Sequence, residues 1–582
     1  MSIQFTAIAG SFTREELKLP NLNVLTPDGQ SYEVLAIQPS GAIDARDDFV
    51  GHADRELACG KFKGFIDLAV EKNADLVLCP EYSCPWKVLK DALQNEIFPS
   101  ERKLWVFGCE SITPQEFREF VVSFPNIKWI HEDLPNSTRD FFGVVCYLLK
   151  TRSNNGDIKK VIVVQFKTFP MAGNDTSESD HLICGQTIYS LRNQVDYARF
   201  VTIICSEALQ FQLDNVNNIS ALEFNQHPHI IFHPQLSANP RHAGVRRYRF
   251  DLFHNYCSRE LEIFTLNWAR GFRIGMHNPS CYGGSGIFMK SDRFIRSDDR
   301  VHHNHQKGIY YCKWIENQTE LCIFNFNEHI FNFRTYKNAL IGPAVELRRH
   351  GPEMRTIWQW DDDNHAWLES ENANDGFREL CDRYENPALT TSLDGGFNVV
   401  DRERLLTLSA GKLEPCLDWH RIEKLNSFIA ESDERSKRLT FVHEQHTDSV
   451  EFRNEHLSRF NTLLNVILPN PALFPENIVD LAGNWGLQPP QASNEFRYNL
   501  VYKSRKVHGA TVVFVGQRPL SDARKLRDKF VEAWKNRNNE RGEEKTFRLV
   551  VWYQDVAGNI LHVPQSSPTI FGDSELPTSI KR

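Results

Sequence analysis

The chain has 582 residues, a formal net charge of −8 and a pI near 6.3, and 41% of its residues are hydrophobic while 24% are charged. This length exceeds one ordinary domain core, so we expect two domains or three. The composition is that of a globular protein, and the acidic balance argues against a dedicated nucleic-acid-binding protein and against a protein that binds anionic membranes.

The start of the chain shows no targeting signal. Residues 1–6 contain no basic segment followed by an apolar core, so we predict no signal peptide. No run approaches the roughly 18 apolar residues that span a membrane. The 13 cysteines are scattered without the spacing of a disulfide framework, which is typical of reduced thiols in a cytoplasmic protein.

Several apolar, β-branched segments in the first half of the chain predict buried strands. In chain order they cover residues 32–38, 74–82, 104–108, 142–149, 161–167 and 200–208. A helix is predicted over 56–72, because apolar residues recur there at helical spacing. The Asn-Asn-Gly-Asp turn at 154–157 predicts that the strands on either side of it form a hairpin.

Three of these predicted strands end in residues that can do chemistry, Glu81, Lys167 and Cys205. Each has an ordinary explanation, because a glutamate at a strand exit is usually solvated, a lysine often protects a sheet edge, and a cysteine is often a buried apolar residue. Together, however, they supply what acyl transfer by a thiol requires. A carboxylate removes the thiol proton, and a cation stabilises the thiolate and the later oxyanion.

The order of the motifs over residues 31–295 resembles the nitrilase, or carbon–nitrogen hydrolase, superfamily with its Glu-Lys-Cys triad. The matching segments are the strand ending at Gln38, the Ala-Asp-Leu…Pro-Glu sequence 74–81, Lys167 with Pro170 after it, the Ile-Cys-x-Glu sequence 204–207, the strand 229–234, an imperfect Arg259-x-x-Glu262 and the Gly-Gly-Ser-Gly sequence 283–286. Each motif alone is weak, but their shared order is specific.

The resemblance implies an α/β fold, a four-layer α-β-β-α sandwich over residues 1–335 with helices on the outer faces of two sheets. The acidic and polar stretch 336–375 predicts a linker or domain boundary. Residues 376–582 are apolar enough to form a separate mixed α/β domain. Its predicted elements are helices over 421–446 and 449–467 and a β-α-β unit over 511–553.

The resemblance also implies roles for the triad. Glu81 is the general base, and Cys205 is the nucleophile that forms a thioester. Lys167 and the backbone N–H of Ser206 bind the developing negative charge.

Three further residues are candidates for the surroundings of the triad. Tyr82 is expected at the substrate pocket, and for Trp86 a place at the pocket rim and plain packing both remain open. Glu178 is the nearest candidate for a second glutamate that family members carry after the lysine. The sequence Ala208-Leu209-Gln210-Phe211 replaces the aromatic-Pro-Glu run that often follows the cysteine in this family.

Three functions agree with this pattern. The leading one is cysteine-dependent hydrolysis of a non-peptide carbon–nitrogen bond in a small amide, N-carbamoyl compound or nitrile, with no cofactor. The second is a catalytically altered binding or signalling module, and the third is an acyltransferase with the same triad. The family implies a homodimer or larger homo-oligomer. The C-terminal domain could bind a protein partner, form oligomers or act as a sensor. A glutamine-dependent NAD synthetase is not expected, because it would need a Ser-Gly-Gly-x-Asp-Ser sequence, which this chain lacks.

Two histidine-rich segments resemble metal sites only superficially. We predict that His302-His303-Asn304-His305 is an exposed turn, because no cysteine or carboxylate stands at ligand spacing. In the segment 443–446 the two histidines are one residue too close for the zinc-binding His-Glu-x-x-His pattern. Neither segment predicts a metal site.

Overall fold

The structure is a computed structural model. It describes residues 4–134, 137–171, 177–210, 223–237, 243–253, 260–269, 273–274, 284–290, 298–314, 319–337, 352–384, 387–394, 397–411, 421–422, 439–442, 447–489, 498–503, 505–535 and 547–565.

The chain is of the mixed α/β class and divides into two compact units. The first unit comprises Met1–Asp375, Ile422–Lys437 and His443–His446. The second unit comprises Gly376–Arg421, Arg438–Val442 and Thr447–Arg582.

Strands and helices alternate through much of the first unit. Its strands are β1 (Gln4–Ala7), β2 (Ser31–Gln38), β3 (Ala42–Ala45), β4 (Val50–His52), β5 (Leu76–Cys84), β6 (Leu104–Ile112), β7 (Lys128–Ile130), β8 (Phe142–Arg152), β9 (Ile158–Phe166), β10 (Thr187–Leu191), β11 (Arg199–Thr202), β12 (His229–Pro234), β13 (Leu261–Leu266), β14 (Arg273–Ile274), β15 (Gly286–Lys290), β16 (Ile309–Trp314), β17 (Thr319–Phe324), β18 (His329–Tyr336), β19 (Glu353–Asp361) and β20 (Ala366–Ser370). Its helices are α1 (Ala9–Arg14), α2 (Arg55–Lys72), α3 (Trp86–Gln94), α4 (Pro114–Val122), α5 (Ser177–His181), α6 (Ala243–Asp251) and α7 (Asp298–Gln306).

Two large sheets carry the strands that matter for the site. One sheet, called sheet A, has the order β1-β10-β11-β12-β13-β15-β17-β16-β21, in which β21 is the two-residue strand Arg421–Ile422. The other, sheet B, has the order β20-β19-β18-β2-β5-β6-β8-β9-β7. In sheet A the central strands β11, β12 and β13 are parallel, and in sheet B so are β2, β5 and β6. Strands buried on both faces have continuous apolar sequences, and this pattern is what predicted them.

Side chains of the two sheets meet at several points. Gln165 Nε2 of sheet B donates to the carbonyl of Thr202 in sheet A at 3.0 Å. Near the opposite ends of the strands, Tyr32 donates through its hydroxyl to Glu262 Oε2 at 2.9 Å. These contacts join residues that lie far apart in sequence, and they bring the ends of β9 and β11 to one place.

Helix α2 packs on the face of sheet B that is turned away from sheet A, and it confirms the helix predicted over 56–72. Asp54 caps its first turn by accepting a hydrogen bond from Leu57 N, and Asn73 ends it in the left-handed conformation with φ 48°. The predicted apolar face is buried against the core of sheet B. Its buried members are Phe62, Phe65, Ile66 and Ala69.

The structure differs from the predicted boundary over 336–375, because β19 and β20 complete sheet B there. The acidic stretch is a tight turn between these two strands. Asp361 Oδ1 accepts hydrogen bonds from the backbone N–H of Asp363 and Asn364 at 2.9 and 3.0 Å. Acidic residues therefore cluster here because they form a turn, which composition alone cannot distinguish from a linker.

The prediction of an exposed turn at residues 302–305 is wrong, because this segment lies in helix α7. His303 Nε2 contacts the carbonyl of Met354 at 2.8 Å, and His305 Nε2 lies 2.6 Å from Asp375 Oδ2. His303 thus bonds to a backbone carbonyl and His305 to a side-chain carboxylate. The second histidine segment, 443–446, lies outside the described residues.

The second unit contains the sheet β22-β23-β24-β25-β26. Its strands are β22 (Trp485–Leu487), β23 (Leu500–Tyr502), β24 (Arg505–Gln517), β25 (Leu549–Gln554) and β26 (Ile560–His562), and its helices are α8 (Phe377–Asp382), α9 (Pro387–Asp394), α10 (Val399–Ser409), α11 (Thr447–Thr462) and α12 (Leu520–Lys535). Strands β24 and β25 are parallel and flank α12, which confirms the predicted β-α-β unit.

Two helices predicted in the second half have different outcomes. The helix predicted over 449–467 is α11, which continues as a π-helical turn over Leu463–Ile467. The described residues of the helix predicted over 421–446 are not helical, because Arg421–Ile422 form a strand and residues 439–442 lie outside helices and strands. The rest of this segment lies outside the described residues. Among the helices that the structure describes, none has the length and apolar character needed to cross a membrane.

Candidate active site

The three residues of the predicted triad lie close together between the two sheets. Glu81 lies inside β5, Lys167 directly follows β9, and Cys205 opens a short 3-10 turn that follows β11. Lys167 Nζ lies 2.7 Å from Glu81 Oε1. The Cys205 thiol lies beside the same carboxylate and, together with Lys167, opposes the rise in its pKa that burial causes. The structure thus brings together the three residues predicted as the triad.

Glu81 lies in an irregular part of its strand. The pairing register of β5 with β6 shifts between Cys79 and Cys84, around the proline at position 80. Proline cannot donate to a ladder, so it favours such a bulge. The bulge turns the carboxylate of Glu81 toward sheet A, where Leu236 N donates to its Oε2 at 3.1 Å.

Glu178 also lies at this site, on the short helix α5. Its Oε1 and Oε2 are 2.6 and 2.7 Å from Lys167 Nζ, and the backbone N–H of Met171 donates to Oε2 at 2.5 Å. Lys167 therefore stands between two carboxylates. The three N–H bonds of the ammonium match the three carboxylate oxygens that lie within 2.7 Å of Nζ, two from Glu178 and one from Glu81.

Tyr82 links this second glutamate to the strand of the first. Its hydroxyl donates to Glu178 Oε1 at 2.7 Å, and its backbone is left-handed with φ 54°. The ring passes close to Gly143, where an added Cβ would lie 2.7 Å from the Tyr82 hydroxyl oxygen. A glycine is required at that position because the tyrosine fills the space of a side chain.

Burial decides the charge states of the triad. Glu81 and Cys205 are each 4% exposed and Lys167 is 1% exposed. Burial raises the pKa of Glu81 to about 7, against the opposing effect of Lys167. Burial likewise raises the pKa of the Cys205 thiol well above its usual value. For Lys167, burial disfavours the charge, but Glu178 and Glu81 outweigh it and raise the pKa.

These charge states define the resting site near pH 8. The lysine is an ammonium, Glu81 is a carboxylate, and the thiol of Cys205 keeps its proton. The thiol therefore becomes a nucleophile only when its proton moves to Glu81. The arrangement can perform general-base-assisted attack by sulfur next to a fixed positive charge.

The backbone at Cys205 is in the left-handed region with φ 38°, which is strained for a residue with a side chain. Neighbouring groups hold this conformation. The carbonyl of Cys205 accepts a hydrogen bond from His233 Nε2 at 3.1 Å, and Ser206 Oγ donates to the carbonyl of Phe169 at 2.7 Å. Ser206 is thus a structural neighbour of the nucleophile, and its hydroxyl is already engaged.

Trp86 lies away from the triad. Its Nε1 donates to the carbonyl of Glu110 at 2.8 Å, and its ring centroid is 4.9 Å from that of Phe120. It packs against the outer core of sheet B, which is the packing alternative that the sequence left open.

Sequence reasoning missed several groups that contact the triad. They are Leu236, which donates to Glu81, Trp268, whose Nε1 donates to the Glu81 carbonyl at 2.8 Å, and His233, whose Nε2 donates to the Cys205 carbonyl. A usable signal existed, since β11, β12 and β13 are parallel neighbours and the carboxyl ends of such strands adjoin. Residues just after β12 and β13 were therefore candidates for the site.

Comparison with known proteins adds little. No family model matches the chain, and neither does any curated protein. Among solved structures, it is similar to the glutamine-dependent NAD+ synthetase from Acinetobacter baumannii in complex with ADP, at 13% identity and a TM-score of 0.27, over 80% of this chain and 75% of that chain. A similarity at this level does not place the chain in a family.

Proposed function

We propose that the first unit hydrolyses a non-peptide carbon–nitrogen bond through a thioester on Cys205. The observation that carries this proposal is the buried convergence of Glu81, Lys167 and Cys205, which lie in or just after three separate strands. Ion pairs that merely stabilise a fold do not require a thiol in a strained backbone beside them.

The first half of the reaction forms the thioester. Cys205 Sγ attacks the carbon of the amide, while the thiol proton passes to Glu81. The C–N bond then breaks as Glu81 returns this proton to the departing nitrogen, which leaves as ammonia or an amine. Lys167 stabilises the oxyanion that develops on the substrate oxygen.

The second half releases the acid. Glu81 takes a proton from water, and the resulting hydroxide equivalent attacks the thioester carbon. The C–S bond breaks, Cys205 regains its proton from Glu81, and the carboxylic acid leaves. An N-carbamoyl compound would follow the same steps, and a nitrile would add water at carbon before ammonia leaves.

The fold of the first unit supports the proposal of a nitrilase-type hydrolase. We propose that sheets A and B form the two inner layers of a four-layer sandwich, with α2 among the helices of an outer layer. The inter-sheet bond from Gln165 to Thr202 and the packing of α2 on sheet B agree with this arrangement. The substrate class follows from the burial of the triad, which suits a small molecule better than a protein chain.

Selective alkylation tests the proposed function. We expect iodoacetamide to modify Cys205 faster than any other thiol at pH 8, and we expect Glu81→Gln to slow this labelling by about 100-fold, because the proton acceptor is lost. In the wild type the labelling rate should also fall as the pH drops through about 7, where Glu81 becomes protonated. The measurement is intact mass and peptide mapping against time.

Cys59 and Cys184 provide internal controls, because they are only half-buried and the pKa of each is raised by burial. Cys184→Ala should leave the fast labelling intact, and Cys205→Ala should abolish it. If Cys59 and Cys184 react faster than Cys205 in the wild type, the hydrolase proposal fails. If Cys205 is selectively reactive, ammonia release from amides, carbamoyl compounds and nitriles is the next measurement.

A further inference from the structure

Glu207 is a buried carboxylate that the proposed reaction does not use. It lies in the 3-10 turn of Cys205 and is 0% exposed. Burying a carboxylate costs free energy unless hydrogen bonds compensate it. Its contacts therefore show what it stabilises.

The two oxygens of Glu207 serve two different chain segments. Oε1 accepts hydrogen bonds from Thr168 N at 2.7 Å and Thr168 Oγ1 at 2.9 Å. Oε2 accepts from Ile204 N at 2.6 Å. Thr168 directly follows Lys167, and Ile204 directly precedes Cys205.

These two segments come from opposite sheets, because β9 belongs to sheet B and β11 to sheet A. The nearby inter-sheet bond from Gln165 to Thr202 lies two residues before Lys167 and three before Cys205. The hydrogen bonds of Glu207 to Thr168 and Ile204 are thus a second connection between the sheets, closer to the triad than the bond from Gln165 to Thr202. We call this second connection the clamp.

We propose that Glu207 is a positioning residue, whose carboxylate fixes the separation of Lys167 and Cys205 by binding the residue next to each. The proposal rests on the proposed function and deepens it. Glu207 touches neither the thiol proton nor the expected substrate carbon, so it acts only through these two neighbours.

The clamp requires the ionised carboxylate. Only this form accepts bonds on both oxygens from the three donors, whereas a protonated carboxyl turns one oxygen into a donor. Burial raises the pKa of Glu207 to about 7, so the clamp is complete above this pH and weakens as the pH falls through it.

The other titratable groups that face Glu207 keep their charge over this range. They are Lys167, Tyr147, Cys184 and Tyr248. Burial raises the pKa of both tyrosines and of the cysteine, and Lys167 remains an ammonium.

The first test is Glu207→Gln. Glutamine presents an NH₂ group to one of the backbone N–H donors, so one segment loses its acceptor. We expect the rate of Cys205 labelling by iodoacetamide at pH 8 to fall about tenfold, the loss of one hydrogen bond to a charged group. The ratio of wild-type to variant rate should approach one at pH 5.5, because the wild-type carboxyl is then protonated too. Glu81 titrates in both proteins and cancels in this ratio.

A second pair of variants keeps the test decisive if Glu207→Gln does not fold. Thr168→Val removes only the hydroxyl bond to Glu207, and we expect labelling about threefold slower. Thr168→Ser keeps the hydroxyl and should label at the wild-type rate. Thermal unfolding midpoints report whether each variant is folded.

The outcomes separate the two proposals. Wild-type labelling rates in folded Glu207→Gln, or a rate ratio that is the same at pH 5.5 and pH 8, would overturn the positioning role. Equal rates for Thr168→Val and Thr168→Ser would do so as well. Unselective labelling of the wild type would instead overturn the proposed function.

Discussion

Replacing Lys167 with methionine is expected to lower the free energy of unfolding by about 3–5 kcal/mol at pH 8. The ammonium is 1% exposed and contacts the carboxylates of Glu81 and Glu178 at 2.7 and 2.6 Å. Methionine fills a similar volume but leaves the two carboxylates buried next to each other without a cation. The measurement is chemical denaturation of the two proteins at several pH values.

The pH dependence of this loss has a definite sign. The pKa of Glu81 is already about 7 in the folded wild type, above its ordinary value of 4.5, so protonation stabilises the folded state as the pH falls between these values. Without Lys167 the charged form of Glu81 loses its partner, and its folded-state pKa rises further. The stability gap between variant and wild type should therefore be widest at pH 8 and narrowest near pH 5.

Lys159→Met is the matched control for this prediction. Lys159 lies on the same strand β9, but its side chain is 39% exposed and its contact with Asp157 is 3.7 Å long. The substitution should change the free energy of unfolding by less than about 0.5 kcal/mol. Similar stability of both variants at pH 8 would show that Lys167 does not compensate the buried carboxylates.

Replacing Gly108 with alanine is expected to disturb both the fold and the site. An added Cβ would lie 2.1 Å from the carbonyl oxygen of Pro80 and 2.8 Å from Glu81 Cα. These are backbone atoms of the neighbouring strand β5, so the strand itself must move. We expect a loss of about 3 kcal/mol in the free energy of unfolding, as for overpacked cores, and labelling of Cys205 about 100-fold slower, because Glu81 is displaced by about 1 Å.

The control for this prediction is Gly10→Ala. Gly10 lies in helix α1, and an added Cβ would meet no atom within 4 Å. Alanine is the better helix former, so we expect unchanged labelling and a protein that is as stable as the wild type or about 0.5 kcal/mol more stable. Wild-type stability and labelling in Gly108→Ala would contradict the close approach of β5 and β6 at this point.

The sequence predicted those parts of the site that local pattern encodes. Apolar runs located the strands that carry Glu81, Lys167 and Cys205, because strands buried on both faces have no other composition. Glu178 was only a nearest candidate, since nothing in its acidic surroundings distinguishes a buried carboxylate from a solvated one. Its position depends on contacts with Lys167 and Tyr82, which form only in the folded protein.

Other parts could not be predicted from a single sequence for a different reason. Leu236 contributes only its backbone N–H, and Trp268 contributes only an indole N–H that binds a backbone carbonyl. Neither residue type therefore indicates a contact with Glu81. The hairpin of β19 and β20 was hidden because its turn is acidic, and composition does not separate a turn from a linker. These features require knowledge of which strands are neighbours.

The division of the triad between two sheets has a consequence for how the protein folds. Glu81 and Lys167 belong to sheet B and Cys205 to sheet A, so each sheet could form alone without producing the site. Contacts between residues so distant in sequence are slow to form. During refolding, circular dichroism would report the growth of strands, whereas a reactive Cys205 would appear only after the sheets dock. The time course of Cys205 reactivity would therefore report the rate at which the two sheets dock.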